Sequence, residues 1–304
     1  MAEQVVNFTT VFLGIFIEAA PFLLLGTVAS GLVEVFVRRE DLAHILPRSP
    51  LLAALVGGLM GFAFPVCECG VVPLTRRLIR KGLPVGAAVA FLLAAPIVNP
   101  VVLASTYAAY GWGRVLFARF GLGLLVAAST GVIFAFNPSP ARMLRPQVFV
   151  PIAGAVEEVA TPVAGPSLSV RLKRAMRIAG DEFFEMGRYL VIGSLLAALM
   201  QTAVPQSILL SVGSGPFMSV LVMQALAFVL SVCSTVDAFI SLAFAGTFTT
   251  GSLLSFLLFG PMVDIKSTLM FLGVFRRRIV VYLVVLPFLM VMLIGVFINL
   301  NVNW

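Results

Sequence analysis

Met60-Gly-Phe-Ala-Phe-Pro-Val-Cys-Glu-Cys-Gly-Val-Val-Pro-Leu74 is the stretch whose reading decides the fold. An apolar run from Leu51 to Phe64 is broken at Pro65-Val-Cys-Glu-Cys-Gly70 and resumes at Val71 until Arg76, Arg77, Arg80 and Lys81. Its arms, about 14 and 11 residues, are too short to cross a bilayer, which takes roughly 20 apolar residues. In hydrocarbon, broken backbone survives only where it is buried in protein or lines a cavity. The stretch therefore reads as a re-entrant hairpin, with Pro65 and Gly70 marking its turn.

The surroundings are those of a membrane protein. Of 304 residues, 61% are hydrophobic and 11% charged, against about 45–50% and 25% in soluble domains. Full-length apolar segments run over about 8–37, 84–110 and 114–136. The first lacks a basic leader and is too long for a signal core, so it reads as a retained span. Residues 137–169 hold six prolines together with Glu157 and Glu158 and read as a linker. The basic stretch at Arg171, Lys173, Arg174 and Arg177 reads as an interfacial helix.

The second half then repeats the first. Phe16-Ile-Glu-Ala-Ala-Pro-Phe-Leu-Leu-Leu-Gly26 resembles Phe183-Phe-Glu-Met-Gly-Arg-Tyr-Leu-Val-Ile-Gly193. Val66-Cys-Glu-Cys69 resembles Val232-Cys-Ser-Thr235, and Phe91-Leu-Leu-Ala-Ala-Pro-Ile-Val-Asn99 resembles Phe256-Leu-Leu-Phe-Gly-Pro-Met-Val-Asp264. The spacing is nearly constant. The expected fold is an all-α integral membrane protein of two homologous repeats, 1–136 and 170–304, joined by the linker 137–169.

Charge sets the expected topology. With 51–81 as a hairpin, all but Arg114, Arg119, Arg188 and Lys266 of the 20 Lys and Arg residues fall on one face. The positive-inside bias makes that face cytoplasmic and the two repeats inverted, each with three crossings and one hairpin. Eight full spans in parallel repeats are the alternative. The net charge of +7 thus reflects topology, and no nucleic acid is expected as a partner. The expected location is the cell membrane, with the lipid bilayer and a small solute as partners and self-association compatible.

Paired interruptions in matching segments of two halves point to a transporter's binding site. They fall at Pro65–Gly70 and Pro96–Pro100, then at 233–237 and at Gly260-Pro261 through Asp264. Cys67 and Cys69 flank Glu68, and Cys233 is the mate of Cys67. Three sulfurs meeting there suit a soft metal or metalloid, although a cysteine in apolar surroundings is equally a small filler. Asn99 and Asp264 are mates and read as solute or gating groups. Glu18, Glu185 and Asp237 lie at apparent membrane depth and read as proton carriers, with Lys266 as a charge partner for a carboxylate. Structural carboxyls are the plainer alternative. Among other classes, a thiol redox protein would favour Cys-x-x-Cys, which is absent. A subunit of a larger membrane complex is a further alternative. No nucleophile–base arrangement or phosphate-binding Gly-Lys-Ser/Thr loop is present, so neither enzyme activity nor a cofactor is expected.

Pro65-Val-Cys-Glu-Cys-Gly-Val-Val-Pro-Leu74, Arg80-Lys-Gly82, Ala90 through Pro100 and Thr106 resemble the predicted permeases that include the organoarsenical efflux permease ArsP. The likeness extends over both halves, from about residue 8 to 300. It implies export of a small solute. By analogy with the arsenical exporters, it implies trivalent, thiol-reactive solutes held by Cys67, Cys69 and Cys233. The family often carries Ser between the paired cysteines. Glu68 stands there in this chain and favours a cationic solute or an added proton site.

Overall fold

The computed structural model describes residues 2–38, 47, 49–64, 66–136, 143–145, 168–203 and 215–301. Pro65, His44 and most of the 137–169 linker lie outside them. Among the described residues the only secondary structure beyond helix and turns is one isolated antiparallel bridge, Leu144 with Phe275.

The first half comprises α1 (Ala2–Phe36), α2 (Pro50–Ala63), α3 (Glu68–Arg80), α4 (Val85–Val98), α5 (Pro100–Tyr110) and α6 (Arg114–Ala135). The second comprises α7 (Leu168–Ala203), α8 (Met218–Leu230), α9 (Asp237–Leu242), α10 (Thr250–Met262), α11 (Ile265–Val274) and α12 (Arg277–Asn301). Six spans are long and apolar enough to cross a membrane: α1, α4–α5, α6, α7, α10–α11 and α12. The protein is an all-α, multi-pass membrane protein.

Small residues set the helix directions, because backbones approach closely where a Cβ is missing. A Cβ on Gly26 of α1 would fall 2.2 Å from Gly70 Cα of α3. Toward the end of the same two helices, Lys81 Nζ donates to the Glu34 and Val37 carbonyls. α1 and α3 therefore run in the same direction. Gly57 and Gly61 of α2 press on Ala87 and Ala95 of α4, so α2 runs parallel to α4, which starts where α3 ends. α2 thus enters from the end of the bundle to which α3 returns, as a re-entrant hairpin requires. The observed arms are 14 and 13 residues.

α1 and α7 are antiparallel. Gly31 packs on Ala175, Ile15 clusters with Ala197, and Arg171 donates to the Val35 carbonyl. On α7, Gly193 packs on Lys266 and Tyr189 on Gly273, so α11 runs back toward the start of α7. The ends of α1, α3 and α11 and the starts of α7 and α12 therefore share one end of the bundle, rich in Arg and Lys. The second hairpin segment, α8 to α9, starts at the other end, where Asn299 near the finish of α12 donates to the Pro216 carbonyl. Gly86 lies against Gly131 (α4–α6), and Gly251 lies against Gly295 (α10–α12).

Several sequence expectations need correction. Gly70 lies inside α3, Pro96 inside α4, and Gly260 and Pro261 inside α10. Among the described residues the interruptions fall instead at 64 and 66–67, Asn99, 231–236 and 263–264. A proline removes only its own N–H, which neighbouring helices can accommodate. The chain breaks where a polar side chain captures the next free N–H. Asn99 Oδ1 accepts from Val101 N, with Pro100 at the first position of α5. Asp264 Oδ1 accepts from Ser267 N at the start of α11, at 2.6 Å. The basic 171–177 stretch is not a separate interfacial helix but the opening turns of α7. Of the linker, Met143–Arg145 pairs with Val274–Arg276, Arg145 N donating to Val274 O and Arg276 N to Met143 O.

Candidate functional site

The four interruptions converge on the contact between the halves. Within each half, the interruption of the long crossing is tied to the turn of the hairpin. Asn99 Nδ2 lies 3.5 Å from the Val66 carbonyl, and Ile265 N donates to Ser231 Oγ at 3.2 Å. Ser231 adopts a left-handed conformation, φ 48°. A non-glycine residue rarely does so outside turns and functional sites.

Glu68 is the first residue of α3, with Cys67 as its N-cap. Across the interface stands Lys266 of α11, whose Nζ lies 3.7 Å from Glu68 Oε1 and 3.6 Å from Asp264 Oδ2. Glu68, Asp264 and Lys266 are only 4%, 1% and 1% exposed, so the triad is sealed in this conformation. Asp264 and Ser267 form a reciprocal capping box, which fixes the Asp264 carboxylate at the start of α11. Cys67, Cys69 and Cys233 are free and buried. Cys67 and Cys69 lie beside Glu68 and Lys266, and Cys233 approaches Glu68 and Cys67 from the second half. The cysteines thus gather at the triad, but among the described residues no three His, Cys, Asp or Glu side chains take up metal-holding positions.

The second hairpin turn carries another buried pair. Asp237 opens α9, and its Oδ2 accepts from Arg119 Nη2 at 2.6 Å. Arg119, fully buried on α6, also donates to Thr106 Oγ1 at 2.9 Å and to the Ser234 carbonyl at 3.3 Å. Tyr110 and Ser241 hydroxyls join beside it at 2.7 Å. Sequence reading placed Asp237 among the proton carriers and gave Arg119 no role. The available signal was a lone arginine inside an apolar run, where a buried partner is the rule.

A third group closes the basic end. Arg76 makes two 2.8 Å bonds to Glu185 and lies 3.4 Å from Glu182. Arg77 binds Glu182 and approaches Glu34, as does Lys81. Glu185 is therefore held by arginine. Glu18 sits half-buried along α1 and does not join this group.

Comparison with known proteins agrees with the architecture. The family model described as "Predicted permease" (ArsP_1) matches residues 4–300. UPF0718 protein YcgR of Bacillus subtilis is 47% identical over 277 residues, covering 90% of this chain and 91% of its own. A Streptococcus mutans protein named "Putative two-component membrane permease complex subunit" is 38% identical over 93% of this chain and 92% of its own. UPF0718 protein YraQ of Escherichia coli is 29% identical over 89 residues, 29% of this chain and 26% of its own. No solved structure matches. The chain belongs to the predicted-permease family.

Proposed function

We propose that this permease exports a small, soft, thiol-reactive solute, of the class of trivalent organoarsenicals or related metalloid species, through the site between its halves. The observation that carries the reading is the location of the thiols. The chain has three cysteines, and all three are buried at the two hairpin turns, beside a charged triad. In this reading Cys67, Cys69 and Cys233 hold the solute, and Glu68, Asn99 and Asp264 shape the site. The site is occluded, and the thiols draw closer around a bound solute than they stand without one. The halves 1–136 and 170–304 act as inverted repeats that rock about the site, with 137–169 as the linker. The basic end faces the cytoplasm across the cell membrane, following the positive-inside rule.

Purified protein in liposomes loaded with methylarsenite tests the reading. Wild-type protein releases the solute, and Cys67→Ser or Cys233→Ser lowers release at least tenfold with normal incorporation. Wild-type release by both variants refutes the thiol-ligand assignment.

A second reading is favoured by the Streptococcus mutans relative, which is named "Putative two-component membrane permease complex subunit". On this reading the chain works with a separate membrane or peripheral subunit. A stoichiometric partner retained through mild-detergent purification supports it, and full transport by the isolated chain refutes it.

A further inference from the structure

The buried charges of the described helices fall into three groups, and only one of them carries an excess of acid. At the basic end, Arg76, Arg77 and Lys81 face Glu34, Glu182 and Glu185, several of them partly open to water. At the second hairpin turn, Arg119 faces Asp237 one to one. At the first turn, Lys266 faces two carboxylates, Glu68 and Asp264, in sealed surroundings.

The lysine satisfies neither acid fully. Its separations of 3.7 and 3.6 Å exceed the roughly 2.7–2.9 Å of a direct charged hydrogen bond. Each carboxylate keeps a buried oxygen without a hydrogen-bond partner, Oε2 of Glu68 and Oδ2 of Asp264. The neighbouring groups do not supply the missing positive charge: they are the Cys67, Cys69 and Cys233 thiols, and an ionised thiol would deepen the excess. The two carboxylates stand at helix starts, Glu68 as the first residue of α3 and Asp264 as the N-cap of α11. A net charge at membrane depth is costly unless something neutralises it.

We propose that the Glu68–Lys266–Asp264 triad is a binding site for one monovalent cation, held between the two halves. The charge count decides the valence: one surplus carboxylate is neutralised by one positive charge, and a divalent ion would leave an excess of the opposite sign. A proton and an alkali ion share this chemistry. The inference rests on reading the triad as part of the permeation site, and it adds the coupling ion to that site. It moves the coupling role away from Glu185 and Asp237, whose carboxylates are each matched by an arginine.

The test is a net-charge series read by thermal unfolding of the full chain in detergent. The buffer is N-methylglucamine chloride at fixed ionic strength, titrated with NaCl or KCl, or acidified without either. Wild type is stabilised saturably. Glu68→Gln, which neutralises the site, binds at least tenfold more weakly. Glu68→Gln combined with Lys266→Gln restores a net charge of minus one and recovers the effect, and Asp264→Asn provides an independent neutral site if the double variant misfolds. Stabilisation by salt at constant pH identifies an alkali ion, and stabilisation by acid alone identifies a proton. Absence of any saturable effect in wild type, or an equal effect in Glu68→Gln, overturns the proposal. Because the readout is binding, methylarsenite release without a cation effect removes the cation site alone. A cation effect without release removes the proposed solute alone.

Discussion

Glu68 opens α3 at the first hairpin turn, and Asp237 opens α9 at the second. Each acid is answered by a base from the other half, Lys266 for Glu68 and Arg119 for Asp237. The resemblance ends with the charge count and the geometry. Arg119 reaches Asp237 at 2.6 Å and also donates to Thr106 and the Ser234 carbonyl. Lys266 stands between two carboxylates at more than 3.5 Å from each, among three thiols. The two turns share this cross-bracing and differ in its charge count. The arginine pair is a strut whose partners are fixed. The lysine triad has capacity left for something else.

Removing the strut gives the largest expected effect. Arg119→Met leaves Asp237 buried without a counter-charge, at about 3–5 kcal/mol, and a steep fall in detergent melting temperature and membrane yield follows. Pairing it with Asp237→Leu recovers most of the loss. A mild phenotype for Arg119→Met alone would erase the distinction between the turns. Lys266→Met is expected to lower stability less than Arg119→Met, because no direct hydrogen bond is lost at separations of 3.7 and 3.6 Å and a cation replaces part of the lysine's role. Chemical denaturation of both variants side by side ranks them, and the reverse order breaks the comparison.

The glycine pairs sharpen the contrast between the halves by a similar or smaller amount. A Cβ at Gly251 would fall 2.3 Å from the Gly295 carbonyl, and one at Gly86 would fall 2.7 Å from the Gly131 carbonyl. Gly251→Ala and Gly86→Ala should each cost about 1–3 kcal/mol through overpacking, with Gly251→Ala the worse. Melting curves resolve the order. The smallest stability effect belongs to Glu68→Gln, under about 1 kcal/mol, since it removes a surplus charge. Its melting temperature should match or exceed that of wild type while solute release is lost. A clear destabilisation would make Glu68 a structural acid like Asp237.

Much of this frame was legible in the residues. The shortness of the arms around Cys67 and Cys69 separated a hairpin from a crossing. The proline and glycine signals placed the interruptions slightly wrong. Pro96 and Pro261 sit within helices that continue to a polar cap at Asn99 or Asp264, and a missing N–H is a weaker stop than a carboxylate or amide that captures the next one. The first turns of α7 were read as a separate helix because their basic residues imitate an interfacial segment. Arg119 escaped because its partner lies 118 residues away in the chain, and no local periodicity encodes such a pair. The surplus acid at Glu68 and Asp264 was equally out of reach, since it emerges only once α3 and α11 are side by side.

α3 begins at the thiol-lined triad and finishes among the ion pairs that hold α1 and α7 together. Its 13 residues span roughly 20 Å at about 1.5 Å per residue. A helix of that length is stiff, so if the proposed site takes a passenger, a tilt imposed on Glu68 would not be absorbed along the way. It would emerge at Arg76, Arg77 and Lys81 as a change in their reach toward Glu34, Glu182 and Glu185. On that reading one lever, with no loop to relay the message, would carry occupancy of the site to the basic end.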